Sequence, residues 1–148
     1  MVSGEEHVDV VIICSGVGGG VAARRTAIVP DVELRRPADR TATGRAVLAP
    51  LPREQVRALY PDGGGFTDRT GRGPSRPAAL RELLQAGRRC GFATEDGEVT
   101  LGLRSVGVAV LDHTGWPAAA IAVTWPEDES REPEALAGLV SEAATELS

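Results

Sequence analysis

The hydrophobic pattern divides the chain into strands at its start, helices in the middle, and a hairpin followed by a helix at its end. Val8 to Cys14 is a nearly continuous apolar run rich in β-branched residues, which predicts a strand. Ser15 to Gly20 contains four glycines and predicts a turn, because glycine adopts positive φ at little cost. Val21 to Val29 is then predicted to return as a second strand.

Capping residues and helical spacing predict four helices. Three lie in the middle of the chain, over residues 42–49, over residues 52–60 and from Pro77 onward, and the last covers residues 132–147. Thr41 is placed to cap the first of them through its hydroxyl. A loop rich in Gly and Pro separates the second helix from the third.

Before the last helix, the hydrophobic pattern changes to a period of two. Ser105 to Leu111 and Trp116 to Trp125 are predicted as strands of a hairpin, joined by the loop Asp112 to Gly115. Pairing outward from this loop, with Leu111 opposite Trp116, predicts that Ser105 lies opposite Ala122. The order of elements predicts an α+β fold with an antiparallel sheet.

One face of the predicted hairpin consists of small residues, because side chains alternate between the two faces of a sheet. This small-residue face comprises Ser105, Gly107, Ala109, Ala118, Ala120, Ala122 and Thr124. Since protein interiors are closely packed, either a helix at short range or a ligand must cover it. The hydroxyls of Ser105 and Thr124 favour a ligand, because binding sites combine an apolar wall with a few placed polar groups.

The start of the first predicted helix offers a second element of a binding site. The backbone amides of Ala42, Thr43 and Gly44 lack partners within a helix and can bind an anion. An ordinary capped helix is the alternative interpretation.

Composition and charge exclude several classes of function. The net charge is −5 and the arginines are scattered, so the basic surface typical of nucleic-acid binding is absent. All sixteen basic residues are Arg, which excludes lysine-based catalysis. Cys14 and Cys90 do not fit a metal-binding spacing, and His7 and His113 are expected to be solvated. We therefore expect a cytoplasmic domain without membrane span, catalytic residue, metal or cofactor.

A series of short motifs runs through the second half of the chain. A Gly-aromatic-Ala stretch, an acidic cluster, Gly-Leu-Arg-Ser, an Asp-x-x-Gly turn and an Ala-rich strand follow one another, at Cys90–Ala93, at Glu95, Asp96 and Glu98, at Gly102–Val106, at Asp112–Gly115 and at Ala119–Ile121. In this order, and together with the helical midsection Thr41–Leu59, they resemble the effector domains of the IclR family. The resemblance implies a GAF-like domain that forms a dimer or tetramer and binds a small organic or aromatic acid.

The resemblance also implies a set of ligand-binding residues. Carried over by position, these are Ala42, Thr43, Glu95, Leu103, Ser105, Ala122 and Thr124. We expect residues 1–148 to form one effector-binding domain that controls transcription through ligand-dependent oligomer state or conformation. DNA would be contacted only through a winged helix-turn-helix domain, which this chain is expected to lack because a strand begins by residue 8.

A dinucleotide-binding site of an oxidoreductase is the alternative function. Val8 to Arg25 has the order strand, glycine-rich turn and possible helix, as FAD- or NAD-binding domains begin. Cys14, Gly16 and Gly19 would occupy the three glycine positions, and Glu33 would be the distant acidic residue. Against this, the Cys14 side chain would crowd the turn, and the chain has too few strand–helix repeats for a doubly wound sheet.

Overall fold

The computed structural model describes residues 10–13 (as backbone), 37–61, 66 and 70–148. The predicted turn over residues 15–20 and the predicted second strand over residues 21–29 lie outside these ranges. Within them, the chain forms four strands and four α-helices. In chain order they are β1 (Val10–Ile13), α1 (Ala42–Leu48), α2 (Arg53–Leu59), α3 (Pro77–Cys90), β2 (Ala93–Asp96), β3 (Leu103–Leu111), β4 (Pro117–Pro126) and α4 (Pro133–Leu147), with a short 3-10 helix at Ala38–Arg40.

The four strands form one antiparallel sheet in the order β1-β4-β3-β2. The first strand and all four helices confirm the predictions, with small differences at their ends. β2 was not predicted, since it has four residues and ends in two acidic ones. The predicted α+β fold is therefore correct, with one more strand at the edge of the sheet.

The predicted hairpin register is wrong by one residue at Leu111 and by two residues along the rest of the hairpin. Leu111 pairs with Pro117 rather than with Trp116, and Ser105 pairs with Thr124 rather than with Ala122. Asp112 accounts for the first residue of the shift, because its backbone amide donates to the Trp116 carbonyl at 2.8 Å and its carboxylate accepts from the Trp116 amide at 3.0 Å. Trp116 is therefore part of the turn, and an irregularity at Val110/Leu111 adds the second residue of the shift.

The shift of two residues leaves the two faces of the hairpin as predicted, because side chains alternate with a period of two. The large apolar side chains of β3 and β4 form the main core with the inner face of α4. This core comprises Val106, Val108, Val110, Ile121, Val123, Trp125, Leu136, Ala137, Val140 and Ala144. The main core thus lies on the side of the sheet opposite the small-residue face.

α1 covers the small-residue face at short range. Ala46 of α1 packs with Ala93 and Ala120 of the sheet. At Gly107, a Cβ atom would lie 2.7 Å from the carbonyl carbon and oxygen of Ala42, which is closer than two such atoms can approach. A helix, and not a ligand, therefore fills the middle of this face. A second apolar cluster joins the end of α1 to α2 and α3 and comprises Leu48, Ala49, Leu51, Val56, Leu80 and Leu84.

Candidate functional site

Three polar side chains form a row across the sheet, next to the position where α1 meets Gly107. Glu95 on β2 pairs with Ser105 on β3, and Ser105 pairs with Thr124 on β4. The hydroxyl oxygens of Ser105 and Thr124 are 2.9 Å apart and form a hydrogen bond. Each hydroxyl has one proton and two lone pairs. The hydroxyl pair therefore retains one proton that it can donate to a ligand oxygen.

The Glu95 carboxylate is fixed by the backbone of the turn that follows β2. Its Oε1 atom accepts hydrogen bonds from the amides of Glu98 at 2.7 Å and Val99 at 3.0 Å. The residue is only 5% exposed, so these bonds compensate part of the cost of burying its charge. Its Oε2 atom has no partner among the residues that the structure describes. This oxygen is available to accept a hydrogen bond from a ligand hydroxyl.

The start of α1 differs in one respect from the prediction. The Thr41 hydroxyl accepts from the Gly44 amide at 3.0 Å, as expected of an N-cap, so the Gly44 amide is not free. The amides of Ala42 and Thr43 have no hydrogen-bond acceptor within residues 37–61 and 70–148. Two amides at the start of α1, rather than three, are therefore without an acceptor among the described residues.

The structure brings the seven predicted binding residues together. The first two residues of α1 lie above Gly107, and Ala122 is the strand partner of Gly107. The row of Glu95, Ser105 and Thr124 lies beside the Gly107–Ala122 pair, two residues along the strands. Leu103 lies two residues beyond Ser105 on the same face of β3. Of the seven, Leu103 and Thr124 are half-buried and the others are buried. The side of Leu103 and Thr124 is thus the accessible side of the candidate site.

A buried ion pair that sequence reasoning missed holds α1 against the edge of the sheet. The Arg45 guanidinium binds both carboxylate oxygens of Glu98, at 2.7 and 2.6 Å, and both side chains are buried. Arg45 also donates to the carbonyl oxygens of Thr94 at 2.7 Å and Asp39 at 2.8 Å. This bidentate geometry, with two parallel N–H···O hydrogen bonds, is the arrangement in which Arg binds carboxylates most strongly.

Three further polar residues extend this buried network. The Asp39 carboxyl is 1% exposed, its Oδ2 atom lies 3.6 Å from Arg40 Nε, and burial raises the pKa of Asp39. Arg40 donates to the carbonyl oxygens of Arg72 and, at 3.3 Å, Pro74. Burial and the nearby Asp39 carboxylate raise the pKa of Tyr60 to about 12. Through Arg40, the network therefore links the loop before α3 to the segment that precedes α1.

One sequence signal could have revealed the buried ion pair. Arg45 is the only charged residue of α1, whose other residues are small or apolar. A charged residue on a helix that is otherwise suited to burial needs an opposite charge nearby. Glu98, the member of the acidic cluster that follows β2, was the available carboxylate.

The described residues give no support to the other functions considered. Their sheet is antiparallel throughout, whereas a dinucleotide-binding domain requires a parallel one. No group of three metal-binding side chains occurs in the described ranges. His113 is exposed in the hairpin turn, where hydrogen bonds from the Thr114 side chain and from backbone amides lower the pKa of Asp112. None of the described helices is long and apolar enough to cross a membrane.

Comparison with known sequences identifies the family. The family described as "Bacterial transcriptional regulator IclR C-terminal" matches residues 22–148. The transcriptional repressor IclR of Escherichia coli is 34% identical over 92 residues, which are 61% of this chain and 32% of the repressor. The chain thus spans about a third of the length of this curated relative.

Solved structures show the same fold. The repressor BlcR of Agobacterium tumefaciens superposes with a TM-score of 0.72 and 28% identity, over 77% of this chain and 47% of BlcR. A double mutant of the inducer-binding domain of PobR from Acinetobacter, crystallised with 3-hydroxybenzoic acid, has a TM-score of 0.67 and 23% identity, over 82% of this chain and 77% of that domain. These relatives are regulators of transcription and not enzymes. The chain belongs to the IclR family of transcriptional regulators and corresponds to its C-terminal, effector-binding domain.

Proposed function

We propose that this domain binds a small carboxylate, aliphatic or aromatic, between the start of α1 and the row of Glu95, Ser105 and Thr124. The observation that supports this most is the row itself: two hydroxyls with a spare proton lie beside a fixed carboxylate in an otherwise small and apolar surface. Such a surface matches the general make-up of ligand sites.

In this proposal each predicted residue has a role. The hydroxyl pair and the amides of Ala42 and Thr43 meet the carboxylate of the ligand, while Glu95 accepts from a ligand hydroxyl. Leu103 and Ala122 supply apolar contact. Because α1 has only seven residues, we assign the charge recognition to the hydroxyls together with individual amides rather than to a long helix dipole.

We further propose that the domain belongs to a cytoplasmic regulator that forms a dimer or tetramer and contacts DNA through a separate winged helix-turn-helix domain. Ligand binding would change either the conformation or the oligomeric state of this regulator. The contacts of α1 support a conformational response. The α1 backbone contacts Gly107 without an intervening side chain, and the Arg45–Glu98 ion pair links the helix to the edge of the sheet. A ligand that displaces the start of α1 would therefore change both contacts.

A thermal-shift comparison tests this function. We expect benzoate, 3-hydroxybenzoate or propionate to raise the melting temperature, whereas the matched amides do not, because an amide lacks the negative charge. A ligand at about a hundred times its Kd stabilises by about 2.7 kcal/mol. Equal stabilisation by acid and amide would contradict charge recognition, and no stabilisation by any of the acids at about 10 mM would contradict the function.

A further inference from the structure

A groove lined by arginines lies between α2 and α3, away from the proposed ligand site. Its volume is about 500 Å³. Residues of both helices line it, namely Arg53, Val56, Arg57, Tyr60, Pro77, Ala78, Leu80, Arg81, Glu82, Leu84, Gln85 and Arg88. Val56, Leu80 and Leu84 are buried and form its floor, while the arginines stand at the exposed rim.

The groove has an excess of positive charge on a chain whose net charge is −5. Four arginines and one glutamate line it. Arg88 is engaged, since it donates to the carbonyl oxygens of Ala49 and Leu51, which follow α1. Arg53, Arg57 and Arg81 are exposed and have no ion pair with any residue that the structure describes. These three side chains are therefore the positive charges with which a partner could pair.

The outer face of α4 has the complementary composition. α4 contains three glutamates and no basic residue. Its inner face belongs to the main core, whereas Leu139 is 55% exposed although it is a large apolar residue. Glu142, Ala143 and Glu146 follow Leu139 at intervals of three and four residues, so all four share one exposed face. This face is acidic and has an apolar residue at one end.

From this complementarity we propose that α4 of a second copy of the chain docks in the groove. Leu139 lies over the apolar floor, and Glu142 and Glu146 lie beside the arginines. The dimensions agree, because Glu142 and Glu146 are one helical turn apart (about 6 Å), as are Arg53 and Arg57. The proposal deepens the oligomeric part of the proposed function and rests on it, but it does not involve the carboxylate site.

Docking in the groove is favoured over a symmetric contact between two α4 helices. In a symmetric contact, the glutamates of one helix would face those of the other, and like charges at an interface oppose association. In the groove, the same glutamates meet three arginines that lack ion-pair partners in the described ranges. Charge complementarity thus selects the groove as the surface that α4 contacts.

Charge reversal in two variants tests the contact. Arg57→Glu with Arg81→Glu makes the groove acidic, and Glu142→Arg with Glu146→Arg makes α4 basic. We expect each double variant alone to associate at least about tenfold more weakly than the parent in sedimentation experiments. An equimolar mixture of the two is expected to associate again, because each groove then meets a helix of opposite charge. Arg89→Glu and Asp128→Arg are matched controls, since both residues are exposed and neither lies in the groove or on the outer face of α4.

The association measurements decide whether α4 contacts the groove. Association of either double variant at the strength of the parent, or failure of the mixture to associate, would overturn the proposal. The proposal would also be overturned if the unsubstituted protein were monomeric at about 100 µM, because contacts of ordinary affinity form at that concentration. The thermal shift by carboxylates is measured on the same variants. Retention of that shift in a monomeric parent would show that the contact is wrong while the ligand-binding function stands.

Discussion

Gly107 of β3 lies directly beneath Ala42, the first residue of α1, so closely that a Cβ atom at Gly107 would be 2.7 Å from the Ala42 carbonyl carbon and oxygen. The start of the helix thus rests on the backbone of the sheet without an intervening side chain. This close approach sets the distance between the α1 amides and the Ser105–Thr124 hydroxyl pair in the next row. The geometry of the candidate site therefore depends on a glycine at position 107.

We expect Gly107→Ala to destabilise the domain by about 1–3 kcal/mol, because the added methyl group meets backbone atoms that cannot rotate away. Urea unfolding measures the change. Gly138→Ala is the matched control: a Cβ atom there meets nothing within 4 Å, and alanine in a helix should stabilise by up to about 1 kcal/mol. Equal stability of Gly107→Ala and the parent would show that α1 does not lie this close.

The buried ion pair gives a second prediction. Glu98→Ala leaves the Arg45 guanidinium buried without its carboxylate, so we expect a loss of about 3–5 kcal/mol in the free energy of unfolding. Asp96→Ala is the control, since the ion pair of Asp96 with Arg104 is about half exposed and should contribute little. A loss for Glu98→Ala no larger than that for the control would mean that the pair does not hold α1 in place.

Tyr60 gives a prediction on pH dependence. Its pKa is raised from 10.0 to about 12 in the folded protein by burial and by Asp39. Between these values the folded state holds a proton that the unfolded state has lost, so stability falls as the pH rises from about 10 to about 12. The chain has one tyrosine, so phenolate absorbance follows Tyr60 alone. A midpoint near the ordinary value in the folded protein would contradict its burial beside Asp39, and Tyr60→Phe should remove this part of the stability loss.

Much of the fold could be predicted because its signals are local. The hydroxyl of Thr41 and the proline at position 77 mark helix starts that the structure confirms. The division of the hairpin into a large and a small face also held, since it depends only on alternation. The helix that covers the small-residue face was one of two predicted alternatives, and the contacts of α1 with Gly107, Ala93 and Ala120 decide between them.

What sequence reasoning missed depends on contacts between distant residues. The register followed from counting outward from the turn, and the hydrogen bonds of Asp112 with Trp116 and the irregularity at Val110/Leu111 each changed that count by one residue. The error hid the pairing of Ser105 with Thr124, which brings the two hydroxyls together. Arg45 and Glu98 are 53 residues apart, and no local pattern pairs them.

The hydroxyl pair gives the fourth prediction. Thr124→Val removes one hydroxyl with little change of shape, so we expect the carboxylate-induced thermal shift to fall while the domain stays folded, at a cost in stability of about 1 kcal/mol. Thr145→Val is the control, because its hydroxyl donates to the Ser141 carbonyl on the exposed side of α4. An undiminished shift in Thr124→Val would exclude the hydroxyl pair from carboxylate binding.

Amide chemical-shift mapping is the most direct test of the claim that a small carboxylate binds at the start of α1. The measurement uses isotope-labelled protein titrated with the acid that gives the largest thermal shift, and with its amide as the control. We predict that the largest changes occur at the amides of Ala42, Thr43, Ser105 and Thr124, and only with the acid. Changes concentrated in the α2–α3 groove or at the hairpin turn, with the α1 start unaffected, would contradict the claim.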